Sequence, residues 1–275
     1  MTIYENMLEN HVQRMGISTP NSSHEVMQQI VLGGLYRGGF FDHAAFYGGT
    51  CLRIFHGLPR FSEDLDFSLV TKRDDIHLEN YFPMIVNEFK LCGLSVTITK
   101  KDKKDFGRVE SAFLKENTET YEIKFQTKKT VKIKIELDTD PPLQFDTEHK
   151  LLLEPFSFMT RCFTLPALYA GKMHALVYRA WQKRIKGRDW FDFEWYVRKN
   201  IPLDFRHLQA RIKEFNGEDV DKESFLLQLR DKLATADINL VKADVIDFIA
   251  DPHALDIWSN DYFLQLADRI PFLIR

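Results

Sequence analysis

The 275-residue sequence is poor in cysteine, glycine and proline, and neither sign of charge dominates it. Its three cysteines, Cys51, Cys92 and Cys162, form no CxxC pair and no Cys/His cluster with zinc-like spacing. Neither a disulfide framework nor a structural zinc site is therefore expected, and free buried thiols in a reducing compartment are the simplest reading. Only 13 glycines and 10 prolines are present, so no low-complexity linker is expected. The balance of 37 basic against 40 acidic residues leaves a net charge of −3. Any contact with nucleic acid must then come from a local patch. No apolar run approaches the roughly 18 residues of a transmembrane helix, so no membrane association is expected. The N-terminal MTIYENMLENHVQ carries acids early and lacks the apolar stretch of a secretory signal, which points to a cytoplasmic protein.

What is present is enough for a sizeable core. Hydrophobic residues make up 44% and the chain holds 23 phenylalanines, which suggests a bulky aromatic core or a stacking surface. Apolar spacing predicts a helix over 23–39, a strand over 44–49, a short helix over 50–56 and a half-buried strand over 64–70. A helix over 78–92 follows, then strands over 94–100, 108–114, 119–126 and 131–138, and one or two short strands within 156–165. The 131–138 run alternates, with Val131, Ile133, Ile135 and Leu137 on one face and Lys132, Lys134, Glu136 and Asp138 on the other. From Pro166 the pattern is helical: 166–183, 189–199, 204–215, 222–235, 240–250 and 258–269. Phe225-Leu226-Leu227 and Phe263-Leu264 read as core. The expected class is α+β. A mixed-sheet domain with N-terminal helices over 1–165 precedes a helical domain over 166–275 that contributes to the active-site cleft.

The segment FYGGTCLRIFHGLPRFSEDLDFSL is the most informative. Gly48-Gly49-Thr50 lies between a strand and a helix, where unpaired N–H groups and the absence of side chains suit a phosphate. Thr50 adds a hydroxyl. Alone, such a turn is more often just a tight turn. Asp64-Leu65-Asp66 places two carboxylates on one strand face about 6–7 Å apart. That pair can share divalent cations, although an isolated DxD is more often a solvated face. Together, joined by one short helix, they form the elements of a nucleoside-triphosphate site, and two metals there would suit phosphoryl-type transfer. A second group lies at 172–192, KMHALVYRAWQKRIKGRDWFD. Lys172 and Arg179 share a helix face and could hold a triphosphate. Gly187 reads as a helix end and Asp189 as the cap of the next helix. Arg53 could reach a phosphate, Arg60 could do so or pair with Glu63, and Asp192 could pair with Arg188.

Gly-Thr followed by Asp-Leu-Asp resembles the signature of the DNA polymerase β-like nucleotidyltransferases. More narrowly, GGTCLR…RFSEDLDFSL resembles the AbiEii/AbiGii nucleotidyltransferase toxins. Lys172, Ala175, Leu176, Arg179, Arg188, Asp189 and Asp192 match that family's second motif block in order, so the resemblance spans about 25–200. It implies a polymerase β-like sheet domain, an NTP substrate, Mg2+ or Mn2+ held by Asp64, Asp66 and a third acid, and a cognate antitoxin partner. Glu136 and Asp138 are both candidates for that acid, with neither as the remaining alternative. By resemblance Lys172 contacts the nucleotide phosphates and, with Asp189, joins the catalytic set, with Asp192 in or bracing it; Gly48, Gly49, Thr50, Arg53 and Arg179 are the further nucleotide-binding candidates. Transfer to tRNA 3′ ends is the implied activity. Basic runs at Lys100–Lys104, Lys128–Lys134 and Lys183–Arg188 are the candidate RNA contacts. A small-molecule or protein acceptor, or a catalytically silent nucleotide-binding partner, are the alternative readings.

Overall fold

The computed structural model describes residues 1–16, 19–100, 118–125, 132–179 and 185–274. The expected strand at 108–114, Val131, and the basic residues Lys101, Lys103, Lys104, Lys128, Lys129, Lys183 and Arg184 lie outside the described residues. Two compact units emerge. The first comprises Met1–Cys51, Ser62–Pro141 and Thr147–Cys162; the second comprises Leu52–Phe61, Pro142–Asp146 and Phe163–Arg275.

The first unit is built on a seven-stranded mixed sheet in the order β3-β4-β5-β2-β1-β7-β6. Its strands are β1 (Ala44–Tyr47), β2 (Leu65–Leu69), β3 (Val96–Lys100), β4 (Thr118–Phe125), β5 (Lys132–Asp138), β6 (Thr147–Leu152) and β7 (Phe158–Phe163). β2 is central: it pairs antiparallel with β1 and parallel with β5. The alternation behind this is plain in β5, where Ile133, Ile135 and Leu137 are fully buried while Lys132, Lys134 and Glu136 are not. β2 does the same with Leu65, Phe67 and Leu69 against Asp66. The phenylalanines form the core. Phe40 and Phe46 each lie 5.1 Å from Phe67, centroid to centroid, and all three are fully buried. Each such ring contributes about 1.5–3 kcal/mol by leaving water.

Helices α1 (Ile3–Met15), α2 (Thr19–Arg37) and α4 (Phe82–Leu91) belong to this unit, and α3 (Gly48–His56) begins in it. α1 opens with a capping box, in which Thr2 Oγ1 accepts from Glu5 N–H and Glu5 Oε2 accepts from Thr2 N–H. β6 was not expected from the sequence. Its residues are all intermediate or exposed, so it carries no buried hydrophobic face to announce it. All three cysteines are free and buried, as expected.

The second unit holds α5 (Leu165–Tyr178), α6 (Gly187–Arg198), α7 (Phe205–Asn216), α8 (Lys222–Thr235), α9 (Ile238–Val245) and α10 (Asn260–Ala267). Its core is aromatic too: Tyr169 stacks on Tyr196 at 4.2 Å and Trp190 meets Phe263 edge-on at 4.7 Å. Phe225 and Phe263 are fully buried as expected, but Leu227 is 69% exposed. Two helical residues from Phe225 is more than half a turn, which carries Leu227 to the outer face. No helix among the described residues is long and apolar enough to cross a membrane.

Candidate active site

The strand-turn-helix begins where β1 ends. Tyr47 stands opposite Asp66 across the antiparallel β1–β2 pair, and α3 starts on the next residue. Gly48 has φ +82°, in the left-handed region. A Cβ built there would lie 2.2 Å from Asp66 Oδ2. Only a residue without a side chain lets that carboxylate sit against the start of α3. The first-turn N–H groups of Gly48, Gly49 and Thr50 have no intrahelical acceptor and carry partial positive charge.

Thr50 is fully buried. Its Oγ1 donates to the Asp64 carbonyl and lies 3.0 Å from Ser62 Oγ. The hydroxyl thus ties the helix start to the chain entering β2. Gln28 Nε2 holds the same stretch through the Ser62 carbonyl at 3.0 Å and the Glu63 carbonyl at 2.9 Å. Asp64 and Asp66 therefore leave a clamped segment, which limits the rotameric and backbone freedom they lose on binding.

Strand register decides which of the two candidate acids lies beside Asp66. Asp66 is the β2 partner of Glu136 on parallel β5, and Ser68 is the partner of Asp138. Glu136 is thus beside the DxD pair. Asp138 is one step further on, and its Oδ1 accepts from Asp140 N–H at 3.1 Å, opening the turn before Pro141. Lys134, expected on the polar face of this strand and in a basic run, shares the face of Glu136. Its Nζ lies 2.6 Å from Glu136 Oε1. The two form an ion pair on the strand face. Burial alone would lower the lysine's pKa, but Glu136, Asp64 and Asp66 raise it above its ordinary value. The alternation of VKIKIELD already set both residues on one face; the ion pair is what the structure adds.

This oxygen donor set suits a hard divalent cation, which takes a few carboxylates and fills its shell with water and phosphate oxygens. Asp66 Oδ2 seated against Gly48, with the Glu136 carboxylate on the register partner of Asp66, fits that use. Among the described residues no three His, Cys, Asp or Glu side chains already converge into a cage. Asp66 and Glu136 lie side by side on two neighbouring strands, with Asp64 just before the first of them.

The helical unit carries a chain of alternating charges. Arg60 donates through Nε and Nη2 to the two oxygens of Asp192, both at 2.6 Å. The side chains are 2% and 0% exposed. Lys172 Nζ lies 2.7 Å from Asp192 Oδ2 and 3.3 Å from Asp189 Oδ1. Arg179 Nη1 lies 3.3 Å from Asp189 Oδ2. Burial alone would raise the Asp192 pKa, but Arg60 and Lys172 outweigh it and hold the carboxyl below its ordinary range. Arg60 therefore pairs with Asp192 and not with Glu63, and Asp192 pairs with Arg60, not with Arg188. Arg188 instead places its guanidinium 4.1 Å over the Phe248 ring. No local pattern could have shown this, because 132 residues separate Arg60 from Asp192.

Two local expectations change. α5 ends at Tyr178 and Arg179 is extended, so Arg179 reaches Asp189 from beyond the helix rather than along its face. Gly187 opens α6 instead of ending a helix, and Asp189 sits in its first turn. The reason is contact: a Cβ on Gly187 would lie 1.9 Å from the Val241 carbonyl oxygen of α9. Arg53 Nη1 donates to the Leu58 carbonyl at 3.0 Å, bracing the loop after α3.

Residues 30–265 match the family model described as nucleotidyl transferase AbiEii toxin, type IV TA system. Among solved structures, the chain resembles JHP933 from Helicobacter pylori, at 18% identity and a TM-score of 0.51 over 91% of this chain and 90% of that one. It also resembles MenT4, the nucleotidyltransferase toxin Rv2826c from Mycobacterium tuberculosis H37Rv. There the identity is 13% and the TM-score 0.52, over 98% of each chain. At these identities the likeness is one of fold. No curated protein matches.

Proposed function

Because the chain belongs to the AbiEii nucleotidyltransferase toxin family of type IV toxin–antitoxin systems, we propose that it transfers a nucleoside monophosphate from an NTP to an acceptor hydroxyl, that of tRNA. The observation that carries this reading is the meeting of Gly48, Asp66 and Glu136. Gly48 seats the Asp66 carboxylate at the start of α3, and strand register sets Glu136 beside it. In this reading a phosphate-binding turn and a carboxylate face meet where β1 ends and β2 begins.

In this reading the first-turn N–H groups of Gly48, Gly49 and Thr50 bind the triphosphate, and the Thr50 hydroxyl holds Asp64 in line. Asp64, Asp66 and Glu136 would hold Mg2+, or Mn2+ in its place, and the ion would neutralise charge on the phosphates. Glu136 accepts the proton of the acceptor hydroxyl as its oxygen attacks the α-phosphorus. The bond to the pyrophosphate oxygen breaks, giving acceptor–NMP and pyrophosphate. Lys172 and Arg179, both held by Asp189, are proposed to offset phosphate charge, with Arg53 as a further phosphate contact. An antitoxin partner goes with the family.

The test is a transfer assay: each α-labelled NTP with Mg2+ and total tRNA, the native chain beside Asp66→Ala. Label on tRNA that disappears in the variant is the expected result. NTP consumed without labelled tRNA would replace tRNA by a small-molecule or protein acceptor. Near-native transfer by Asp66→Ala would overturn the carboxylate assignment.

A further inference from the structure

Three carboxylates on one sheet face repel one another unless a cation lies among them. The chain supplies one of its own. Lys134 stands two residues before Glu136 on β5, on the same face, with its ammonium 2.6 Å from Glu136 Oε1. The Asp64 and Asp66 charges also act on it, and Asp66 is the register partner of Glu136. The Lys134 side chain is 32% exposed, so it has solvent to move into when displaced. We propose that Lys134 is a resident counter-ion of the carboxylate face, which stabilises it while no divalent cation is bound and competes with that cation for Glu136. The inference rests on the reading of Asp64, Asp66 and Glu136 as a cation site. Its consequence is that binding the cation requires the ammonium to yield Glu136. A nucleotide that brings its own phosphate oxygens would favour that exchange.

The experiment measures Mn2+ binding to the full chain without nucleotide, by titration calorimetry and by the thermal shift that Mn2+ produces. Lys134→Gln keeps the length and removes the charge; Lys134→Arg keeps the charge. Lys134→Gln is expected to bind Mn2+ about tenfold tighter than the native chain, because a like charge next to the ion has gone. It should also be the less stable protein without Mn2+ and recover with it. Lys134→Arg should stay near the native affinity. Asp66→Asn, alone or with Lys134→Gln, should lose binding. Equal or weaker binding by Lys134→Gln, with Asp66→Asn still abolishing it, would overturn the counter-ion role and leave the cation site standing. Binding indifferent to Asp66→Asn, or absent from both the native chain and Lys134→Gln, would overturn the site and the counter-ion together. Destabilisation of Lys134→Gln that Mn2+ does not relieve would reduce Lys134 to a structural contact and overturn the proposal.

Discussion

Removing the Asp192 carboxylate should cost the helical unit much of its stability, and the size of the loss follows from what surrounds it. Asp192 accepts two 2.6 Å bonds from Arg60, and both side chains are essentially out of water. Asp192→Ala leaves a buried guanidinium without its counter-charge, a situation that costs about 3–5 kcal/mol. At about 2–4 °C per kcal/mol for a chain of this size, the unfolding midpoint should fall by about 6–20 °C. Tryptophan fluorescence is a suitable probe, because Trp190, Trp195 and Trp258 are in the helical unit and the sheet unit has no tryptophan. Asp192→Asn keeps the shape and should still lose most of this. The double replacement Arg60→Met with Asp192→Leu should recover much of it, since no unpaired charge remains. The pH dependence carries the same sign. The folded-state pKa of Asp192 is depressed, so its contribution is full above the unfolded value of about 3.9 and disappears as pH falls through the folded pKa. A midpoint moved by less than about 2 °C in Asp192→Ala would refute the bracing role. Lost transfer at an unmoved midpoint would make Asp192 a group of the reaction itself.

Gly48→Ala should abolish NMP transfer and lower stability by about 1–2 kcal/mol, since a side chain there is strained at φ +82° and collides with Asp66 Oδ2. The transfer assay and a melting curve check it. Gly187→Ala drives a methyl to 1.9 Å from the Val241 carbonyl and should destabilise the helical unit by about 3 kcal/mol, read by the same fluorescence transition. His207 is fully buried, and burial, then the Arg211 and His174 charges, push its pKa well below the ordinary value of about 6.5. The unfolded chain then binds the extra proton, so stability should decline as pH falls below about 6.5. Denaturant unfolding of the native chain and of His207→Phe between pH 4 and pH 8 tests this; an unchanged pH slope in the variant would count against it.

Sequence periodicity sufficed wherever a segment buries one face along a regular repeat. The alternation of VKIKIELD and DLDFSL shows in the buried Ile133, Ile135, Leu137 and Phe67, and it puts Asp66 and Glu136 on polar faces. The run through Met27, Ile30 and Val31 likewise announces a helix locally. The GGT turn and the DxD are legible for the same reason, since their chemistry lies within a few residues. β6 was invisible because it has no buried face. Gly187 was misread because its role is a contact with α9, more than fifty residues on, and not a property of its neighbours.

What the amino-acid order determined by itself was therefore the kind of chemistry: a glycine turn for anions, paired carboxylates on a strand, and a family signature that joins them. Which groups face one another was decided only in three dimensions. Parallel register chose Glu136 over Asp138 as the neighbour of Asp66. Burial joined Arg60 to Asp192 across 132 residues. Register follows from which faces of neighbouring strands are buried, which no single segment fixes; the buried pair has an electrostatic cause. Charged groups removed from water must find a counter-charge, and the chain supplies it from whichever segment packing brings alongside, however distant in sequence.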